Sequence, residues 1–119
     1  MRLLSIILFV MMAFSMTALG QDRISFSNGK ASISGTLSNG QVRHHLFFAT
    51  KGQTITVRNS TSSVFDFRVF NEVFFDEGDY DSSPSYTFEA PESGDYVFTV
   101  RKKVAGPRTS RYSMTISIK

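Results

Sequence analysis

From Arg23 onward the chain alternates apolar and polar residues with period two, and no stretch keeps a helical period for three turns. That repeat sends successive side chains to opposite faces of a β-strand, so the chain is confined to sheets with one buried and one wet face. Val42 to Ala49 forms one predicted strand, and Thr54 to Asn59 another, with Ile55 and Val57 inward. Val64 to Phe70 places Phe65, Phe67 and Val69 on one face, and Asp95 to Lys102 aligns Tyr96, Phe98 and Val100. Arg111 to Ile118 follows suit through Tyr112, Met114, Ile116 and Ile118. Shorter runs at Arg23 to Ser27, Ala31 to Leu37 and Ser85 to Ala90 bring the expectation to eight strands.

Turn chemistry separates these runs. Asn28-Gly29 is a two-residue hairpin signal of type I′, and Ser38-Asn39-Gly40 and Lys51-Gly52-Gln53 mark further reversals. Strands of this length with regular turns predict an all-β, antiparallel β-sandwich or barrel, with the sandwich preferred. The one long irregular segment is Asn71 to Pro84. The chain has no cysteine, so packing alone must stabilise it, and 10 of its 12 phenylalanines lie beyond residue 20 to supply apolar area.

The first 20 residues have a different character. Arg2 precedes an apolar run from Leu3 to Met16 that only Ser5 and Ser15 interrupt, and Ala18 and Gly20 fit the small positions of a signal-peptidase site before Gln21. The run falls short of the roughly 20 apolar residues that a spanning helix needs. Residues 1–20 are therefore expected to be a cleaved export signal, and residues 21–119 one β-sandwich domain. The expected location is the periplasm, or outside the cell, without a membrane anchor. The mature chain holds 12 lysines and arginines against 10 acids, a net +2 that gives no case for nucleic acid.

Catalysis finds little support. The only histidines, His44 and His45, are adjacent on a predicted strand and should leave on opposite faces, so they cannot jointly grip one metal. No nucleophile elbow accompanies the serines, and no metal or cofactor motif is present. The chain is expected not to be an enzyme. Asp76-Glu77-Gly78-Asp79-Tyr80-Asp81 supplies oxygen ligands of the kind calcium prefers, without the spacing of an EF-hand, so a solvated acidic loop is the simpler expectation.

The basic cluster is the better candidate for a site. Arg101, Lys102, Lys103, Arg108 and Arg111 surround Val104-Ala105-Gly106-Pro107 between the last two strands. A loop at the end of a rigid sandwich suits recognition, and arginine can fork onto a carboxylate through two parallel hydrogen bonds. The predicted partner-binding residues are Arg108, Lys103 and Arg101, with Ser93 and Tyr96 from Ser93-Gly94-Asp95-Tyr96. Structurally, Gly94 would give that turn its freedom, and Tyr96 could bury its ring and turn its hydroxyl to backbone.

Ser34-Gly35, Phe48-Ala49 with Lys51-Gly52-Gln53, Ala90-Pro91-x-Ser93-Gly94-x-Tyr96 with Val100, Arg108, and Tyr112 with Ile116-Ser117-Ile118-Lys119 occur in the order of a known family. Over Ile24 to Lys119 the chain resembles periplasmic inhibitors of g-type lysozyme. The resemblance implies a β-sandwich that plugs the cleft of a host muramidase and so takes part in bacterial defence; the residues themselves leave monomer and homodimer both open. It also implies that Arg108 is the second of two arginines four apart in the last hairpin loop. The first falls on Val104, beside Lys103, and a functional tyrosine falls on Gly40, so two of the three positions depart from the pattern. Arg101, Lys102 or Lys103 could compensate if the hairpin were shifted, although lysine lacks the planar fork. The alternative is a divergent module similar to pre-peptidase C-terminal β-sandwiches, binding a glycan or a cell-envelope protein.

Overall fold

The structure is a computed structural model that describes residues 22–119. The expected export signal and its cleavage point lie outside the described residues.

Among the described residues, nine strands are divided between two sheets, and successive strands change sheet except at β5 to β6. They are β1 (Asp22–Arg23), β2 (Lys30–Ser38), β3 (Val42–Ala49), β4 (Thr54–Asn59), β5 (Phe65–Asn71), β6 (Phe75–Asp76), β7 (Ser85–Glu89), β8 (Gly94–Lys102) and β9 (Thr109–Ile118). One sheet has the order β1-β3-β8-β5-β6 and the other β2-β9-β4-β7. Every neighbouring pair is antiparallel except β1 with β3. The two sheets pack face to face as an all-β sandwich.

Alternation explains which side chains meet. Phe47 and Ala49 of β3, Phe65, Phe67 and Val69 of β5, and Tyr96, Phe98 and Val100 of β8 turn inward from one sheet. Ile33, Ile55, Val57, Tyr112, Met114 and Ile116 meet them from the other, and all fourteen are 5% exposed or less. Without disulfides, these contacts carry the stability; each fully buried aromatic or branched aliphatic side chain contributes roughly 1.5–3 kcal/mol.

Two departures from the predicted pattern concern the chain's crossings. Asn28 and Gly29 take positive φ of 54° and 75°, as a type I′ turn requires. The hairpin stops after the single bridge Ser27–Lys30, however; β1 ends at Arg23 and no strand covers Ile24 to Ser27. The chain leaves β2 because Ile24 and Phe26 pack against the core from the other sheet, Phe26 edge-on to Phe47 at 6.3 Å. The Ile24 amide accordingly donates to Leu46 O at 2.7 Å. Within Asn71 to Pro84, expected to be irregular, β6 pairs with the end of β5 and Asp81 bridges to Phe67. Phe75 stacks on Phe88 at 4.5 Å and Phe74 meets Tyr96 edge-on at 5.5 Å, so aromatic burial draws this segment over the sandwich flank.

Candidate partner-binding site

At one end of the sandwich the β2–β3 turn and the 103–108 loop between β8 and β9 are joined backbone to backbone. The Gly40 amide donates to Lys102 O at 2.9 Å, the Lys102 amide to Gln41 O at 2.9 Å, and the Asn39 amide to Arg108 O at 3.0 Å. The Lys103 amide reaches Val64 O at 2.9 Å. Gly106 sits at φ 66°, and a Cβ there would lie 2.8 Å from Val64 Cγ1, so both conformation and space demand glycine. An open groove of about 500 Å³ runs between the two loops, lined by Gly40, Asp66, Arg101, Lys102, Lys103 and Val104.

The five cations that cluster in sequence do not share one surface. Arg101 is forked onto Asp66, with Nε to Oδ1 at 3.1 Å and Nη2 to Oδ2 at 2.6 Å, and its guanidinium lies 3.9 Å from the Tyr80 ring centroid. Asp66 is 3% exposed, so the pair is an internal tie that only partly faces the groove. The hydrogen bond to Asp66 holds the Arg101 guanidinium above its ordinary pKa. Lys102 is buried, while Arg111 lies along the outer face of β9 and donates to Ser34 Oγ at 2.9 Å. Only Lys103 and Arg108 remain at the tip, and among the described residues neither enters a salt bridge. Arg108 is exposed.

Ser93 and Tyr96 lie elsewhere. β8 runs nine residues from Gly94 to Lys102, and its eight steps at ~3.3 Å each put the two ends about 26 Å apart. Ser93 Oγ accepts from the Lys51 amide at 2.8 Å and so fastens the opposite turn. Tyr96, expected at the partner surface, is instead 0% exposed and donates its hydroxyl to Glu92 O at 2.7 Å. Its ring is a core element, because its parity on β8 matches Phe98 and Val100.

Two exposed valines at this end escaped the charge-based prediction: Val104, 81% exposed at the tip, and Val42, 42% exposed beside Arg101. A signal for Val42 was present. The parity that buries His45 and Phe47 turns Val42 outward, which leaves an apolar residue on the wet face.

The remaining chemical candidates are occupied internally. His44 and His45 do point to opposite faces. His44 Nδ1 meets Thr99 Oγ1 at 2.7 Å, and Thr99 is 2% exposed. His45 is buried, with Nε2 3.1 Å from the Tyr112 hydroxyl, and desolvation holds its imidazole below the ordinary value. In the acidic stretch, Asp76 accepts from Arg68 at 3.0 Å, Glu77 from the Val69 amide at 2.8 Å, and Asp81 from Ser83. Among the described residues, no three histidine, aspartate or glutamate side chains converge on a common point suited to a metal ion.

No protein-family model and no curated protein matches the chain. Solved structures do. The periplasmic inhibitor of g-type lysozyme from Aeromonas hydrophila superposes with a TM-score of 0.67 at 25% identity, covering 83% of this chain and 96% of that one. This chain resembles that inhibitor. A mutant of the corresponding inhibitor from Escherichia coli gives 0.63 at 25% identity, with coverages of 83% and 97%. The pre-peptidase C-terminal domain of a Bacillus anthracis collagenase gives 0.54 at 20% identity, with coverages of 84% and 95%, and shares the fold. The first two are inhibitors rather than enzymes, in keeping with the absence of a catalytic constellation in the sequence.

Proposed function

We propose that this chain is an exported periplasmic protein that inhibits g-type lysozyme by placing the Arg108 end of the sandwich in the muramidase cleft. The observation that carries the proposal is the superposition on the Aeromonas hydrophila inhibitor across 96% of its length, at 25% identity. Arg108 agrees with it: an exposed guanidinium on a loop tied at both sides. Lysozymes act through a carboxylic acid in a sugar-shaped cleft. A guanidinium entering that cleft meets the acid where water is scarce, and a charge-assisted hydrogen bond there is worth ~1.5–3 kcal/mol. Lys103 adds positive charge beside it, and Val42 and Val104 supply apolar contact. Arg101 keeps its bond to Asp66 and supports the surface from beneath.

Gly40 and Val104 lack the tyrosine and arginine of the family pattern, so Arg108 carries more of the binding in this chain. Truncation of Arg108 to alanine is expected to weaken binding by ~2 kcal/mol or more. Unchanged affinity would remove Arg108 from the interface. The function itself is tested by mixing the purified protein with goose-type, chicken-type and invertebrate-type lysozymes and following cell-wall lysis. Slowed lysis by the goose-type enzyme is expected. If none of the three is slowed, the inhibitor proposal fails and the alternative of a glycan or envelope-protein binding module takes its place.

A further inference from the structure

Lys102 stands where alternation calls for an apolar residue. It faces inward on β8 with Tyr96, Phe98 and Val100, and it is 0% exposed. Among the described residues, no carboxylate forms a salt bridge with it. Its Nζ donates instead to Asn39 Oδ1 at 3.0 Å, Lys103 O at 2.8 Å and Ala105 O at 2.6 Å. The Phe65 ring lies on another side, 6.0 Å away. These three oxygens can only accept, so the three bonds use every N–H of an ammonium. A buried charge with no opposite charge persists only where each of its donors is satisfied, and an apolar side chain of similar length would fill the space more simply. The three acceptors come from two separate loops. Asn39 belongs to the β2–β3 turn, and Lys103 and Ala105 belong to the 103–108 loop.

We infer that Lys102 is a positioning residue, a buried ammonium that locks the β2–β3 turn and the 103–108 loop into one rigid surface. The backbone of Lys102 already bonds Gly40 and Gln41 at the base of the loops. Only its side chain reaches Ala105, the crown of the longer loop. Lys102 is 0% exposed and lies beneath the surface that a partner would meet. It holds Lys103, Val104 and Arg108 in fixed relation to Gly40 and Val42, and a surface ordered before docking loses less entropy when it docks.

The test substitutes Lys102→Met, which keeps the length of the stem and removes the ammonium, in a chain lacking the signal. In the free protein, hydrogen exchange at the amides of Asn39, Gly40 and Lys103, which bond Arg108 O, Lys102 O and Val64 O, should quicken at least ~10-fold, while Ile55 and Ile116 in the core keep their protection. Wild-type exchange at these amides in a folded Lys102→Met variant overturns the proposal. If that variant does not fold, Asn39→Ala removes one acceptor from an exposed position, and the same amides should quicken. No change there is equally fatal. A second measurement rests on the lysozyme proposal. Lys102→Met and Arg108→Ala should each weaken binding of g-type lysozyme, and together by clearly less than the product of their factors, because Arg108 contributes fully only when the loop is held. Strictly multiplicative losses overturn the positioning role. If the wild-type protein binds no lysozyme, the functional proposal fails, and hydrogen exchange still decides the role of Lys102.

Discussion

Replacing Glu77 with glutamine should change how the fold responds to pH. The Glu77 carboxyl is half-buried beside β5, where Oε1 accepts from the Val69 amide at 2.8 Å. Burial pushes it up to about 7 from an ordinary 4.5, and the neighbouring Asp81 adds to the shift while Arg68 opposes it. The folded protein therefore keeps a proton that the unfolded chain gives up near pH 4.5. Between that pH and 7 the native state binds more protons, so stability falls as pH rises, and the whole penalty is present above about pH 7. A shift of 2.5 units at 1.36 kcal/mol each sets a ceiling of ~3 kcal/mol, and solvent screening at a half-buried site reduces it to ~1–2 kcal/mol. For a domain of about 100 residues this corresponds to roughly 4–15 °C in Tm. His45 acts with the opposite sign. Desolvation lowers its folded value, so its contribution improves as pH rises toward 6.5 and partly masks the Glu77 effect in the wild type. Glutamine keeps an acceptor for Val69 and an N–H for Asp81 and carries no charge. Thermal unfolding followed by circular dichroism from pH 4.5 to 8.5 should give matching Tm values for wild type and Glu77→Gln near pH 5, and a higher Tm for the variant by several degrees near pH 8. Parallel curves across the whole range would refute the assignment of a buried, proton-retaining carboxyl.

Two further substitutions probe the frame around the site. Arg101→Ala leaves Asp66, 3% exposed, as a buried charge without its partner and should destabilise by ~3 kcal/mol, whereas Arg108→Ala should change stability by no more than ~0.5 kcal/mol; urea titration separates them. Gly35→Ala would place a Cβ 2.7 Å from the Tyr112 hydroxyl and 2.9 Å from Arg43 Nη1, so a loss of ~1–3 kcal/mol is expected, and an unchanged denaturation midpoint would show that β2 shifts freely there.

The amino-acid order alone determined most of the strands and most of the inward set. Val42–Ala49 and Thr54–Asn59 coincide with β3 and β4, and the period-two parity of Phe65, Phe98 and Ile116 put each in the core. Side-chain direction along a strand depends only on neighbours in the chain, which is why it could be read from residue order. The fate of the basic cluster could not. Arg101, Lys102, Lys103, Arg108 and Arg111 look equivalent in the sequence, yet one is forked to Asp66, one is buried beneath the loop and one lies along β9.

What separates these cations is the distant chain placed against each: Asp66 on β5 opposite Arg101, Asn39 of the β2–β3 turn against Lys102, and Ser34 on β2, diagonal to Arg111. Sheet pairing makes those neighbours, and nothing local encodes which strand will lie beside which. The same holds for the departure of residues 24–26 from β2, where alternation marked apolar side chains but not the sheet whose core would bury them. Residue order decides which way a side chain points along its strand; only the assembled sheets decide what it finds there, because burial and partner oxygens come from segments far away in the chain.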